Sequence, residues 1–174
     1  MPDGPILRAA EQQPRIAIGL SIGKGDRTEW AVAKLTELGV DLIVPLVCER
    51  TVVRPDEDGG HRRTARLRRI VREAAMQSRR VFLPEVTELL PLAEAVELVP
   101  APALAEPGGG LLTLAHPSVL VGPEGGWSPA ERSMGLDEVG LGPGILRIET
   151  AAVSSATLLT ALRSGLLSAP RAQA

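Results

Sequence analysis

Two glycine-bearing segments in the last third of the chain hold the residues best suited to chemistry. The first is Gly122-Pro123-Glu124-Gly125-Gly126-Trp127, directly after the apolar run Ser118-Val119-Leu120-Val121. Glycines that follow a buried strand let a ligand approach the backbone closely and permit positive φ angles. The Lys-Ser/Thr pair of a phosphate loop is missing, and so is the G-x-G-x-x-G spacing of dinucleotide folds. The structural alternative is a tight strand-to-helix turn leading into Ser128-Pro129-Ala130-Glu131, a capping box with proline at the first helical position. The second segment is Leu141-Gly142-Pro143-Gly144-Ile145-Leu146-Arg147-Ile148-Glu149-Thr150-Ala151-Ala152. Here Glu149 and Thr150 fall near a helix amino terminus, where free backbone N–H groups bind polar ligand atoms. Arg147 is placed to hold an anionic group or to pair with Glu149 or Glu124, and a plain intrachain salt bridge is the alternative.

The elements that must position these segments alternate in type. Strands are expected at residues 15–22, 40–47, 81–86, 118–121 and 138–141, with one or two brief ones in the Pro/Gly-rich stretch 100–117. Pro45 suggests a strand end or an edge position. Helices are expected at 28–38, 62–78, 91–99 and 150–167, and residues 54–60 read as a polar loop. Asp26 or Thr28 is the candidate N-cap of the first helix, and Gly39 its terminator. Strands alternating with helices predict a mostly parallel α/β sheet covered on both faces, whose ligands bind at the carboxyl ends of the strands. Residues 1–14 read as a linker or domain remnant, 15–168 as one α/β domain and 169–174 as a tail.

Composition narrows the function further. The 174 residues include two Trp, one Phe and no Tyr, so the core must be aliphatic. No apolar stretch approaches the roughly 20 residues that span a bilayer. The segment Met-Pro-Asp-Gly-Pro at residues 1–5 lacks the basic and apolar regions expected of a signal peptide. Cys48 stands alone, which excludes an intrachain disulfide and favours a cytoplasmic location. With only His61 and His116 beside it, no metal site is expected. Net charge is −2, yet eight arginines and one acid, Glu73, lie between Arg62 and Arg80. Such a stripe binds phosphate even on an acidic protein, because screening confines each charge to about 8 Å; a solvated helix face is the alternative.

Four segments in order make the chain resemble the 16S ribosomal RNA uracil-N3 methyltransferase family. They are Lys24-Gly25-Asp26-Arg27 with Thr36-Glu37-Leu38-Gly39-Val40; Gln77-Ser78-Arg79-Arg80 with Pro84; Gly122 to Trp127; and Leu141 to Ala152. The resemblance implies a SPOUT-type fold, a parallel sheet flanked by helices with a deep trefoil knot at its carboxy-terminal end. Knots are otherwise nearly absent from proteins. It implies S-adenosylmethionine as cofactor, contacted by Gly122, Glu124, Gly125, Gly126, Leu141, Gly142, Ile145, Leu146, Arg147, Thr150 and Ala151. Glu106, with Pro107 and Gly108, is the expected third wall. A homodimer acting on 16S ribosomal RNA or the small subunit is implied too, with no membrane or metal. A ribose 2′-O methyltransferase of the same superfamily and a non-catalytic RNA-binding assembly module are the alternatives.

Methylation at uracil N3 needs removal of an imide proton and a held base edge. Arg147 or Arg80 is expected to stabilise the uracil anion, and Glu149 to orient Arg147 or take the proton. Lys24, Arg27, Arg62, Arg66, Arg69, Arg72, Arg79 and Arg80 are the expected RNA contacts. Departures from the family pattern include Met76 for glutamate, Arg79 for glycine, Trp127 for phenylalanine and Ile148 for threonine. Family members also carry an amino-terminal β-barrel RNA-binding domain, of which residues 1–14 would be a linker or remnant. Trp30 and Trp127 read as core or interface residues.

Overall fold

The computed structural model describes residues 10–23, 25–53 and 56–168. Its centre is a parallel sheet built from β1 (Ala17–Ser21), β2 (Leu42–Val47), β3 (Glu85–Val86), β4 (Leu90–Pro91), β5 (Pro102–Leu111), β6 (Ser118–Val121) and β7 (Asp137–Gly140). The strand order is β3-β2-β1-β6-β5-β7, with β4 also pairing β2. The helices are α1 (Arg27–Leu38), α2 (Glu57–Gln77), α3 (Leu92–Leu98), α4 (Pro129–Arg132) and α5 (Ile148–Arg163). The expected parallel α/β class is borne out.

Period-2 alternation splits the strand residues between two cores. Ile16, Ile18, Leu20, Ile43, Val119 and Val121 join the core under α1, α2 and α5. Ala17, Leu42, Val44, Leu46, Leu104 and Leu120 join the one under α3 and Trp127. On α5 the buried residues Ile148, Ala151, Ala152, Ser155, Ala156 and Leu159 recur at helical spacing, and their small size lets the helix lie close on α1, β1 and β6. Gly19 shows how tight the sheet face is, since a Cβ there would come within 2.5 Å of Leu120.

Several boundaries differ from expectation for identifiable reasons. The stretch read as a loop at 54–60 contains the start of α2, because the Asp56 side chain caps the helix by accepting from the Gly59 N–H at 2.8 Å. Pro45 is not on an edge strand: β2 lies between β1 and the short strands β3 and β4. On that second side β3 pairs Leu42 and Ile43 while β4 pairs Leu46 and Val47, so the ladder is interrupted where Pro45 has no N–H to give. Only Glu85 and Val86 of the strand expected at 81–86 pair with β2. Asp26 holds the N-cap position of α1 without a side-chain bond, and Thr28 Oγ1 instead accepts from the Gly23 N–H. Gly39 terminates α1 at φ 100° as expected. Helix α5 begins at Ile148, so Arg147 is its N-cap residue and Glu149 and Thr150 belong to its first turn.

The cleft at the carboxyl ends of β5, β6 and β7

Three loops enclose a cleft of about 210 Å³ at the carboxyl ends of these strands. The Gly122–Trp127 turn follows β6. Its glycine at 126 has φ 69°, and Trp127 folds back so that its buried ring packs against Gly122. A Cβ on Gly122 would meet that ring at 2.8–3.1 Å, so only glycine fits there. The second loop follows β7, with Gly142 at φ 127°, and delivers Leu141, Ile145 and Leu146 to the cleft before α5 begins. The third wall is an excursion in β5. Ala105 and Gly110 both pair with Val139, so residues 106–109 bulge out of the ladder and carry Glu106 and Pro107 to the cleft.

Braces from distant segments hold these loops. The Arg50 guanidinium donates to the carbonyls of Gly125 (2.9 Å) and Trp127 (3.3 Å). The Glu131 carboxylate completes the expected capping box by accepting from the Ser128 N–H at 2.7 Å, and also accepts from the Glu49 N–H at 3.0 Å. Arg132 ties Glu106 on the bulge to Glu138 on β7. These carboxylates raise the pKa of Arg132, the hydrogen bond to Glu106 being the largest cause.

Cys48 lies beneath this frame, and burial, followed by the nearby Glu131 carboxylate, pushes its thiol up to about 12. Thiolate is the reactive form, so at pH 8 the native protein should take up no Ellman's reagent over minutes, and one equivalent after denaturation. The native thiol keeps a proton that the unfolded one releases near 9, so stability contributed by this group is full below pH 9 and declines as pH rises toward 12. Rapid labelling of the folded chain would contradict this placement.

Of the residues expected to contact a cofactor, Glu106, Gly122, Glu124, Gly126, Leu141, Gly142, Ile145, Leu146 and Ala151 line the cleft. Gly125 does not; its Cα faces Arg50, and an added Cβ would come within 3.3 Å of that side chain. Thr150 lines a neighbouring recess with Asp26, Arg27, Trp30 and Glu149. Arg147 is exposed beside the cleft, and Glu149 pairs not with it but with Arg27, at 3.8 Å. Sequence reasoning missed Ala105, Val121, Pro123, Trp127, Gly144 and Ile148 as lining residues. It missed Arg50 as well, which lies 75 residues from its partner Gly125 in a segment with no local signal.

Arg80 is a correction. Its guanidinium donates to the carbonyls of Val40 (2.6 Å) and Thr36 (3.2 Å) and pairs with Asp41, at the amino-terminal end of the strands and opposite the cleft. Burial lowers its pKa, and Asp41 partly restores it. Within one chain it holds the α1–β2 turn and does not reach the cleft. Within the arginine stripe, surface ion pairs join Arg66 to Glu29 at 2.7 Å and Arg69 to Glu73 at 3.6 Å. Arg62, Arg72 and Arg79 are exposed and make no ion pair among the described residues. Lys24 lies outside the described residues. Trp127 is core as expected, whereas Trp30 is 51% exposed and not part of this chain's core.

Comparison with known proteins places this architecture. The model of the RNA methyltransferase domain family matches residues 10–160. Ribosomal RNA small subunit methyltransferase E of Synechocystis is 34% identical over 165 residues, covering 84% of this chain and 53% of that protein. The Bacillus subtilis protein of the same name is 31% identical over 180 residues, covering 87% and 68%. The chain thus spans between half and about two thirds of the length of these relatives. The crystal structure of the Neisseria gonorrhoeae protein of that name, bound to S-adenosylmethionine, superposes with a TM-score of 0.76 at 31% identity, covering 88% of this chain and 68% of that one. A SpoU methyltransferase from Streptomyces viridochromogenes, 12% identical with a TM-score of 0.57, shares the fold alone. With its family model matched across nearly the whole described chain, this protein belongs to the RNA methyltransferase domain family.

Proposed function

We propose that the chain is the catalytic domain of an S-adenosylmethionine-dependent methyltransferase acting on uracil N3 of one uridine in 16S ribosomal RNA. The observation that carries this reading is the cleft itself. Its walls are apolar, from Val121, Trp127, Leu141, Leu146 and Ile148, and its charged lining residues are the carboxylates Glu106 and Glu124. Apolar walls suit an adenine ring, and Glu124, which makes no ion pair among the described residues, suits a ligand carrying sulfonium and ammonium charge, while Glu106 is held by Arg132. The Gly122 cradle brings backbone groups within ligand reach. When bound, S-adenosylmethionine supplies an electrophilic methyl group. The protein's own part is to hold the base edge in line and favour loss of its proton. Glu149, largely shielded in the first turn of α5, is positioned to accept the N3 proton, and exposed Arg147 to stabilise the anion.

The trefoil threading, a homodimeric assembly and a cytoplasmic setting belong to the same proposal. Two features of the path support the threading: β7 pairs β5 at the sheet edge, and α5 then returns to pack on β1 and β6 in the centre. RNA binding would rest on Arg62, Arg72 and Arg79, which have no internal carboxylate partner among the described residues. Alanine at each should reduce the slope of log affinity against log salt by about one, while Arg66→Ala and Arg69→Ala change it less. Filter binding at graded salt measures this, and equal effects at all five positions would contradict it.

The test of the reaction is mass spectrometry of nucleosides from small-subunit RNA incubated with the protein and cofactor. The expected product is 3-methyluridine. A ribose-methylated nucleoside would replace the uracil reading with the 2′-O one, and cofactor-independent RNA binding without a product would favour an assembly module.

A further inference from the structure

Beside the cofactor cleft lies a second, more open recess lined by Asp26, Arg27, Trp30, Glu149 and Thr150, about 480 Å³ in volume. A small pocket of about 10 Å³, room for one water-sized group, has lining residues in common with both. Glu124 and Ile148 line both the cleft and this small pocket, and Arg27 and Glu149 line both the pocket and the recess. Three side chains in the recess, Trp30, Glu149 and Arg27, are suited to hold a base. Trp30 is 51% exposed on α1, although aromatic residues are scarce in this chain. Glu149 is largely shielded, with 16% of its side chain exposed, yet its cationic neighbour Arg27 sits at a loose 3.8 Å. That separation leaves both groups with unused hydrogen-bonding capacity.

We propose that this recess receives the target base, with Trp30 as its stacking platform, Glu149 reading the imide N–H and Arg27 donating to an adjacent carbonyl. The inference rests on the methyltransferase reading and specifies the base site within it. Uracil presents a donor, N3–H, between two carbonyl acceptors. A carboxylate beside a guanidinium matches that alternation, and an indole face stacks on the flat face of any base. Cytosine places an unprotonated N3 acceptor at the same point, where Glu149 would repel it. The small pocket, lined by Glu124 and Ile148 from the cleft side and by Arg27 and Glu149 from the recess side, sets the base edge beside the cofactor cleft in this assignment. Arg27 in this assignment reads a base rather than clamping a phosphate.

The experiment is fluorescence quenching of Trp30 by oligouridine and oligocytidine, in the full chain carrying Trp127→Phe and saturated with S-adenosylhomocysteine. Oligouridine should quench and oligocytidine should bind about tenfold more weakly, the expected effect of one mismatched buried hydrogen bond. Glu149→Gln, which can donate as well as accept, should erase most of that preference while leaving oligouridine binding within a few-fold. Trp30→Leu, which removes that fluorophore, should weaken both oligonucleotides about tenfold or more in filter binding. An unchanged uracil preference in Glu149→Gln, or no quenching by a chain that binds the cofactor product, overturns the base site and leaves the methyltransferase reading standing. Failure of the folded chain to bind S-adenosylhomocysteine in a parallel titration removes the methyltransferase reading and the base site with it.

Discussion

Replacing Gly122 with valine is expected to weaken S-adenosylmethionine binding by about a hundredfold or more, close to 3 kcal/mol, in a protein that still folds. The reason is steric. The Cβ alone would lie 2.8 Å from Trp127 Cε2 and 3.0 Å from Cδ2, and the two methyl groups of valine extend further. Trp127 cannot retreat, because its 2%-exposed ring is packed into the core with Leu46, Cys48 and Leu120. Relief must come from moving the strand end or the ring into the cleft that both line. Gly60→Ala is the control: a Cβ there meets nothing within 4 Å, and it should leave affinity unchanged. Calorimetric titration of both variants measures the difference, and near-native affinity in Gly122→Val would separate the cofactor from this cleft.

Asp41→Ala should lower stability by about 3–5 kcal/mol, or roughly 6–20 °C in melting temperature. Asp41 accepts from the Ile16 N–H at 2.9 Å and pairs with both Arg80 and Arg163. The Arg163 side chain is 4% exposed and donates to the Gly39 carbonyl at 2.8 Å and the Pro14 carbonyl at 3.3 Å. Removing the carboxylate strands two guanidinium charges in a poorly solvated site. Arg163→Met removes a charge and leaves Asp41 paired with Arg80, so its cost should be clearly smaller. The cluster fastens the end of α5 to the α1–β2 turn, and α5 is the helix whose first residues form a wall of the cleft. Thermal unfolding followed by circular dichroism would rank the variants; equal losses would show that buried charge is not the dominant factor.

The parts of this fold that were legible in the sequence are those governed by local physics. The Ser118–Val121 strand stands out because a short apolar run abuts a glycine turn, and the Ser128–Glu131 capping box because its bonds span three residues. Gly39 and the Gly142 loop follow from backbone demands that few other residues meet. What escaped depends on pairing across long separations. Residues 106–109 become a wall only because β7 shifts register against β5, which no single-strand pattern encodes. Arg50 and Arg80 look alike as exposed-type residues in sequence. Tertiary structure gives one the carbonyls of the glycine loop and the other the end of α1, at the opposite end of the strands from the cleft. Within the arginine stripe the sequence shows Glu73 but not the pairing of Arg66 with Glu29, which lies on another helix.

The most direct test of the central claim is amide hydrogen exchange of the chain with and without saturating S-adenosylmethionine. The cleft assignment predicts slowed exchange confined largely to peptides containing 122–127 and 141–151, with a smaller effect at 105–109 and none at the Arg80 and Asp41 end. Protection absent from both glycine loops, in a chain that binds the cofactor, would contradict it.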